Sequence, residues 1–130
     1  MADPIDRLYT AAQVRRLDAS AIEGHGIPGM DLMERAGKCA FDAGMAAFPD
    51  TASILVLCGG GNNGGDGYIV ARLALESGLK AAVCALKPPA ELSGDAATAA
   101  QRWATAGGEV TALSLIHISE PTRPAPLSRM

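Results

Sequence analysis

The chain has 130 residues, room for one domain of ordinary size. Its 48% hydrophobic content excludes a disordered class, although 25 of those residues are alanine and aromatics make up only 4%. The net charge of −3 excludes a nucleic acid or an anionic membrane held by bulk electrostatics.

Met1–Arg7 carries Asp3, Pro4, Asp6 and Arg7 with no apolar stretch behind a basic start, so no signal peptide is expected. No apolar run is long enough to span a bilayer. Cys39, Cys58 and Cys84 are odd in number and isolated. They read as small buried hydrophobes in a reducing compartment, and the expected location is cytoplasmic.

Thr10-Ala11-Ala12-Gln13 is a capping box, with Tyr9 and Val14 at the staple positions. Val14, Leu17, Ala21 and Ile22 recur at helical spacing, which predicts an amphipathic helix over 11–23. The glycines and Pro28 of Gly24–Gly29 interrupt it, and a second helix is expected over 30–47, ended by Pro49 and Asp50. Ser53–Cys58 is a nearly continuous apolar run, the mark of a strand covered on both faces. A glycine loop over Gly59–Gly67 follows, then a helix over 68–77 and a strand over 80–86. Another helix, over about 93–106, and a strand over 109–112 complete the pattern. Two helices followed by β-loop-α-β-α-β predict an α/β fold: a three-layer α/β/α, Rossmann-like parallel sheet of which only the first half is present.

The glycine loop carries the chemistry. Gly59–Gly67 sets six glycines, two amides and one carboxylate between a strand and a helix. Glycines let the backbone approach an anion, and N–H groups at a helix start point toward it. The Gly59-x-Gly61-x-x-Gly64 spacing fits a dinucleotide loop, but Val83–Lys87 supplies no acidic residue for a ribose, which disfavours hydride-transfer chemistry. No GK[ST] follows, which excludes a P-loop. The adjacent Asn62 and Asn63 add donors and acceptors that a phosphate cradle does not need, and their carbonyls suit a hard cation. Asp66 reads equally as a helix cap and as a functional carboxylate.

Gly61-Asn62-Asn63-Gly64-Gly65-Asp66-Gly67, with Ala71-Arg72 one turn on and Leu32-Met33-Glu34-Arg35-Ala36-Gly37 upstream, resembles the NAD(P)H-hydrate epimerase family. The resemblance covers about 8–112. It implies epimerisation of the R and S forms of hydrated NADH and NADPH at C6 of the nicotinamide ring, in nucleotide repair alongside a dehydratase domain or partner enzyme. It also implies that Asn62, Asn63, Gly64, Gly65 and Asp66 contact the hydrated dinucleotide. Asn63 would be a potassium ligand, Asp66 a candidate acid/base, and the full-length protein a homodimer. The family's other potassium ligands, a second phosphate loop and a substrate-binding aspartate would lie downstream of this chain. Two other readings stand beside this one: a non-catalytic binding or dimerisation module of the same fold, as in RNA-decapping scaffolds, and another nucleotide enzyme with a convergent glycine loop.

The last eighteen residues, Leu113–Met130, hold none of the 15 glycines but three of the 8 prolines. Leu113–Arg123 resembles, over eleven residues, the translation of a transposase sequencing adapter, and Ser128-Arg129-Met130 resembles its continuation. The expected organisation is therefore a native portion over 1–112 and a non-native tail over 113–130. Among lesser candidates, His25, Arg35 and Lys38 read as solvated, Met30, Met33 and Met45 as core, and Trp103 as the anchor of the last helix.

Overall fold

In a computed structural model of the chain, the structure describes residues 8–113. Met1–Arg7, and the adapter-like tail beyond Leu113, lie outside the described residues. Helix α1 (Ala11–Ala19) starts at the expected capping box: Thr10 N–H donates to Gln13 Oε1 at 2.8 Å and Gln13 N–H to Thr10 Oγ1 at 3.1 Å. A π-helical turn, Ser20–Gly24, continues it. Then follow α2 (Gly29–Ala47), β1 (Ser53–Cys58), α3 (Asn62–Glu76), β2 (Lys80–Ala85), α4 (Gly94–Thr105) and β3 (Val110–Ala112).

The three strands form one parallel sheet in the order β1-β2-β3, with Val56 opposite Val83 and Val83 opposite Val110. Strands that advance in one direction through crossovers of one hand place their connecting helices on one face. Accordingly α3 and α4 share a core with the sheet, and α2 packs on α3. Val56 and Cys58 point toward α3, while Leu55 and Leu57 point away and are 61% and 70% exposed. Ala82 and Leu86 continue that bare face. The α/β class and the parallel sheet agree with the expectation; a second helical layer is not among the described residues. Among the described residues, β1 pairs on one side only, with β2.

The core is assembled from small residues and a few large ones. Trp103, Tyr68, Ile69 and Val83 are its largest fully buried side chains. Trp103 anchors α4 as expected: its indole N–H donates to the Glu109 carbonyl at 3.1 Å, and its ring lies where Gly108 leaves room.

The glycine segment departs from expectation. Only Gly59–Gly61 is loop, and α3 begins at Asn62, six residues before the helix expected from Tyr68. The glycines after Asn63 serve contact. A Cβ on Gly64 would collide with the Gly59 carbonyl, one on Gly65 would sit 2.7 Å from Met33 Sδ, and one on Gly67 2.8 Å from Cys58 Sγ. Their absent side chains let α3 lie against β1 and α2 at backbone distance.

Two substitutions separate this reason for glycine from simple helix propensity. Gly64→Ala forces backbone against backbone and is expected to destabilise by about 1–3 kcal/mol. Gly44→Ala, in α2 with open space around it, is expected to stabilise by about 0.5–1 kcal/mol. Urea denaturation of the two variants checks both signs, and a stabilised Gly64→Ala protein would refute the packing account.

Candidate functional site

The N-termini of α2, α3 and α4 converge. Gly29, the first residue of α2, lies so close to the Asp95 carboxylate of α4 that a Cβ there would overlap Asp95 Oδ2. Asn62 and Asn63 open α3 beside them. Between these ends and the close of α1 is a cavity of about 330 Å³, with Asp18, Arg35, Asn62, Asn63, Asp66 and Asp95 as its polar wall. Ile22, Leu32 and Met33 supply its apolar side. Carboxylates near helix N-termini are favoured by the backbone dipoles, which accounts for Asp95 where it stands.

Each residue expected at the site can now be located. Asn62 and Asn63 are exposed in the first turn of α3, and with Asp66 they line the cavity. Gly64 and Gly65 are buried behind them and act through packing. Asp66 is not a helix cap: it stands in the second turn of α3, and the N-cap is Gly61, which offers no side chain. Partial burial, and secondarily the charge of Asp18 across the cavity, hold the Asp66 carboxyl above its ordinary 3.8. A carboxyl so raised keeps its proton to higher pH, the property required of an acid/base group.

Four residues of the site escaped the sequence reading. Asp18, Arg35 and Asp95 reach the cavity only because three separate helices meet there, and no spacing rule connects them. Arg35, read as solvated, is exposed but lines the cavity wall. Lys87 had a signal that was read only for what it lacked. It follows β2, and its Cδ and Cβ would lie 3.2 and 3.4 Å from a Cβ on Gly60, so its stem covers the glycine turn. Its ammonium group is thereby tethered beside the start of α3.

The motif pieces Glu34-Arg35 and Ala71-Arg72 also meet. Arg72 Nη2 donates to both Glu34 oxygens at 2.7 and 2.5 Å, across a sequence separation of 38, and Nη1 to Glu76 at 3.0 Å. Arg102 Nη1 reaches Glu34 at 2.7 Å, so one carboxylate links α2, α3 and α4. Arg72 thus divides its two Nη groups between two carboxylates, one on α2 and one on its own helix. Cys58 is excluded from nucleophilic chemistry, because burial and the neighbouring Cys84 push its thiol up to about 11.

No group of three or more His, Cys, Asp or Glu that could hold a metal occurs among the described residues. The amide oxygens of Asn62 and Asn63 and the Asp66 carboxylate fit part of the oxygen shell of an alkali cation. No helix among the described residues is long and apolar enough to cross a membrane.

The profile of the family described as YjeF-related protein N-terminus matches residues 29–122. The bifunctional NAD(P)H-hydrate repair enzyme Nnr of Escherichia coli is 41% identical over 109 residues, which are 84% of this chain and 21% of that enzyme. The NAD(P)H-hydrate epimerase of Rhodopirellula baltica is 39% identical over 109 residues, covering 82% of this chain and 44% of that protein. The crystal structure of yeast ynu0, YNL200c, superposes with a TM-score of 0.72 at 23% identity, over 82% of this chain and 47% of that one, a likeness of fold. The chain thus spans about a fifth of the bifunctional relative and under half of the epimerase. With most of its length matched by the family profile, and its glycine segment folded into the start of α3, the chain belongs to the YjeF-related protein N-terminus family.

Proposed function

We propose that the chain carries part of the site of an NAD(P)H-hydrate epimerase, interconverting the R and S forms of hydrated NADH and NADPH. The observation that carries this reading is the cavity that gathers Asn62, Asn63 and Asp66 at the start of α3, in a chain some of whose relatives bear that name. Epimerisation at C6 exchanges a hydroxyl between two faces of the ring with no change of oxidation state. The hydroxyl needs a proton to leave as water, and the returning water must give one up. Asp66, partly desolvated and proton-retaining, suits that transfer. Asn62 and Asn63 present amide donors and acceptors to the substrate, and Gly64 and Gly65 hold them in place by letting α3 seat against its neighbours.

A potassium ion belongs to the same proposal, with the Asn63 amide oxygen as one ligand. It would fix the geometry of the loop and offset phosphate charge. A dehydratase domain or partner enzyme belongs to the reading, supported by the bifunctional relatives, as does a cytoplasmic location, supported by three free cysteines; a homodimer completes it.

We also propose that the native frame ends near Ala112 and that Leu113–Met130 is adapter-derived. The family match reaches residue 122 and so does not itself mark that boundary. Amplifying the source DNA across codon 112 and reading the product is expected to give different codons from residue 113 onward. Recovery of the present codons would end the adapter account.

The epimerase reading is tested on the polypeptide of the full genomic frame, by following conversion of the R form of hydrated NADPH into the S form. Asp66→Asn is expected to slow conversion by about 10²–10⁴-fold. A folded parent that binds the hydrate but never converts it would favour the non-catalytic module. Asn63→Ala is expected to abolish the advantage of potassium over lithium, and an unchanged ratio would point to a convergent glycine-loop enzyme.

Stability gives an independent check on Asp66. Its folded-state pKa is raised, so its contribution is intact at acidic pH and is lost as pH climbs through the folded value. Asp66→Asn is therefore expected to match the parent in Tm at pH well below the ordinary carboxyl value, and to exceed it by a growing margin as pH rises to the folded value, above which the margin is constant. Thermal melts across that range decide the sign.

A further inference from the structure

The cavity and the glycine turn offer two different chemistries on the two sides of the α3 N-terminus. Resting on the epimerase reading, we propose that they divide the substrate. The cavity takes its uncharged, hydroxyl-bearing end, the hydrated nicotinamide ring with its ribose. The pyrophosphate lies outside, over Gly59–Gly61 and Lys87. Asp18 and Asp95 are thereby assigned as further substrate-contacting residues.

Three observations converge on this division. The first is place: a cavity of about 330 Å³ opens beside the head of α3, with Asn62, Asn63 and Asp66 in its wall. The second is donor complementarity. Asp18 and Asp95 present acceptor oxygens, which match hydroxyl and amide donors and reject the acceptor-only oxygens of phosphate. Arg35 is the only cation lining the cavity among the described residues. The third is the Lys87 stem against Gly60, which tethers a cation beside a bare glycine turn and the unpaired N–H groups that begin α3. Phosphate finds donors on that side and acceptors on the other.

The division also serves the reaction. When the C6–O bond breaks, its electron pair leaves with oxygen, which takes a proton and departs as water. The lone pair of the ring nitrogen then forms the second bond to C6, and the ring becomes a cationic iminium. Water returning to the opposite face restores the C6–O bond, gives up a proton and neutralises the ring. Carboxylates fixed around the ring favour that cation over the neutral substrate, so Asp18 and Asp95 stabilise charge where it develops.

The test uses the 130-residue chain and two fragments of the substrate, titrated by amide NMR. One is hydrated reduced nicotinamide riboside, which has no phosphate, and the other is ADP-ribose, which has no nicotinamide. The riboside is expected to shift the amides of Gly29 and Asp95, and ADP-ribose those of Gly60 and Lys87. Asp95→Asn is expected to weaken the riboside about tenfold and to leave ADP-ribose unchanged, with Lys87→Gln doing the reverse. Asp18→Asn, on exposed α1, gives the same answer should Asp95→Asn disturb the fold. Equal losses for both fragments, the reversed pattern, or no change would overturn the division. So would a chain that binds hydrated NADPH but not the riboside, or that binds neither. In each of those cases the conversion assay on the full frame decides the epimerase reading separately.

Discussion

Helix α3 lies so close to its neighbours that no side chain fits between them, and the rest of the molecule is arranged around that contact. Gly64 presses on the Gly59 carbonyl, Gly65 on Met33, and Gly67 on Cys58, so the helix touches the turn before it, α2 and β1 at once. Gly37 of α2 receives the Ile69 side chain in return. Contact of this kind has little play, because interiors are packed at crystal density and the Gly64 contact sets backbone directly on backbone. The two asparagines at the head of α3 inherit that rigidity.

An ion network guards the same arrangement at its outer surface. Glu34 accepts from both Arg72 and Arg102, joining the three helices whose N-termini form the cavity. Exposed ion pairs contribute little to stability. Arg72 is mostly buried, though, and its pairing with Glu34 ties α2 to α3 across the interface. Packing therefore sets how closely the helices approach, and the Glu34 network ties them to one another. The polar wall of the cavity needs both.

The sequence disclosed the sheet better than the helix that matters most. Ser53–Cys58 was legible to the residue because a continuous apolar run between breakers has few other homes. The capping box at Thr10 was legible because its signal is local. The start of α3 was not: glycine at six of the nine positions from Gly59 to Gly67 hides a helix from any propensity argument when Gly64, Gly65 and Gly67 are there for packing. At the site, Asn62, Asn63 and Asp66 could be named from their spacing. Asp18, Arg35 and Asp95 could not, since only the folded chain brings α1, α2 and α4 together. Nor could alternation in β1 say that Leu55 and Leu57 would face outward, because a strand covered on both faces and one covered on a single face can share the same apolar run.

Among the described residues, that bare face and the open edge of β1 make this stretch of polypeptide an acceptor. An unpaired parallel edge offers hydrogen bonds in a fixed register, and the adjoining leucines reward whatever arrives with an apolar helix to lay over them. Such a unit is suited to fragment complementation, in which two separately made pieces assemble without a covalent link. Because the cavity and the glycine turn open at the end of the sheet where β1 finishes, the joining of the pieces would be reported at the site itself.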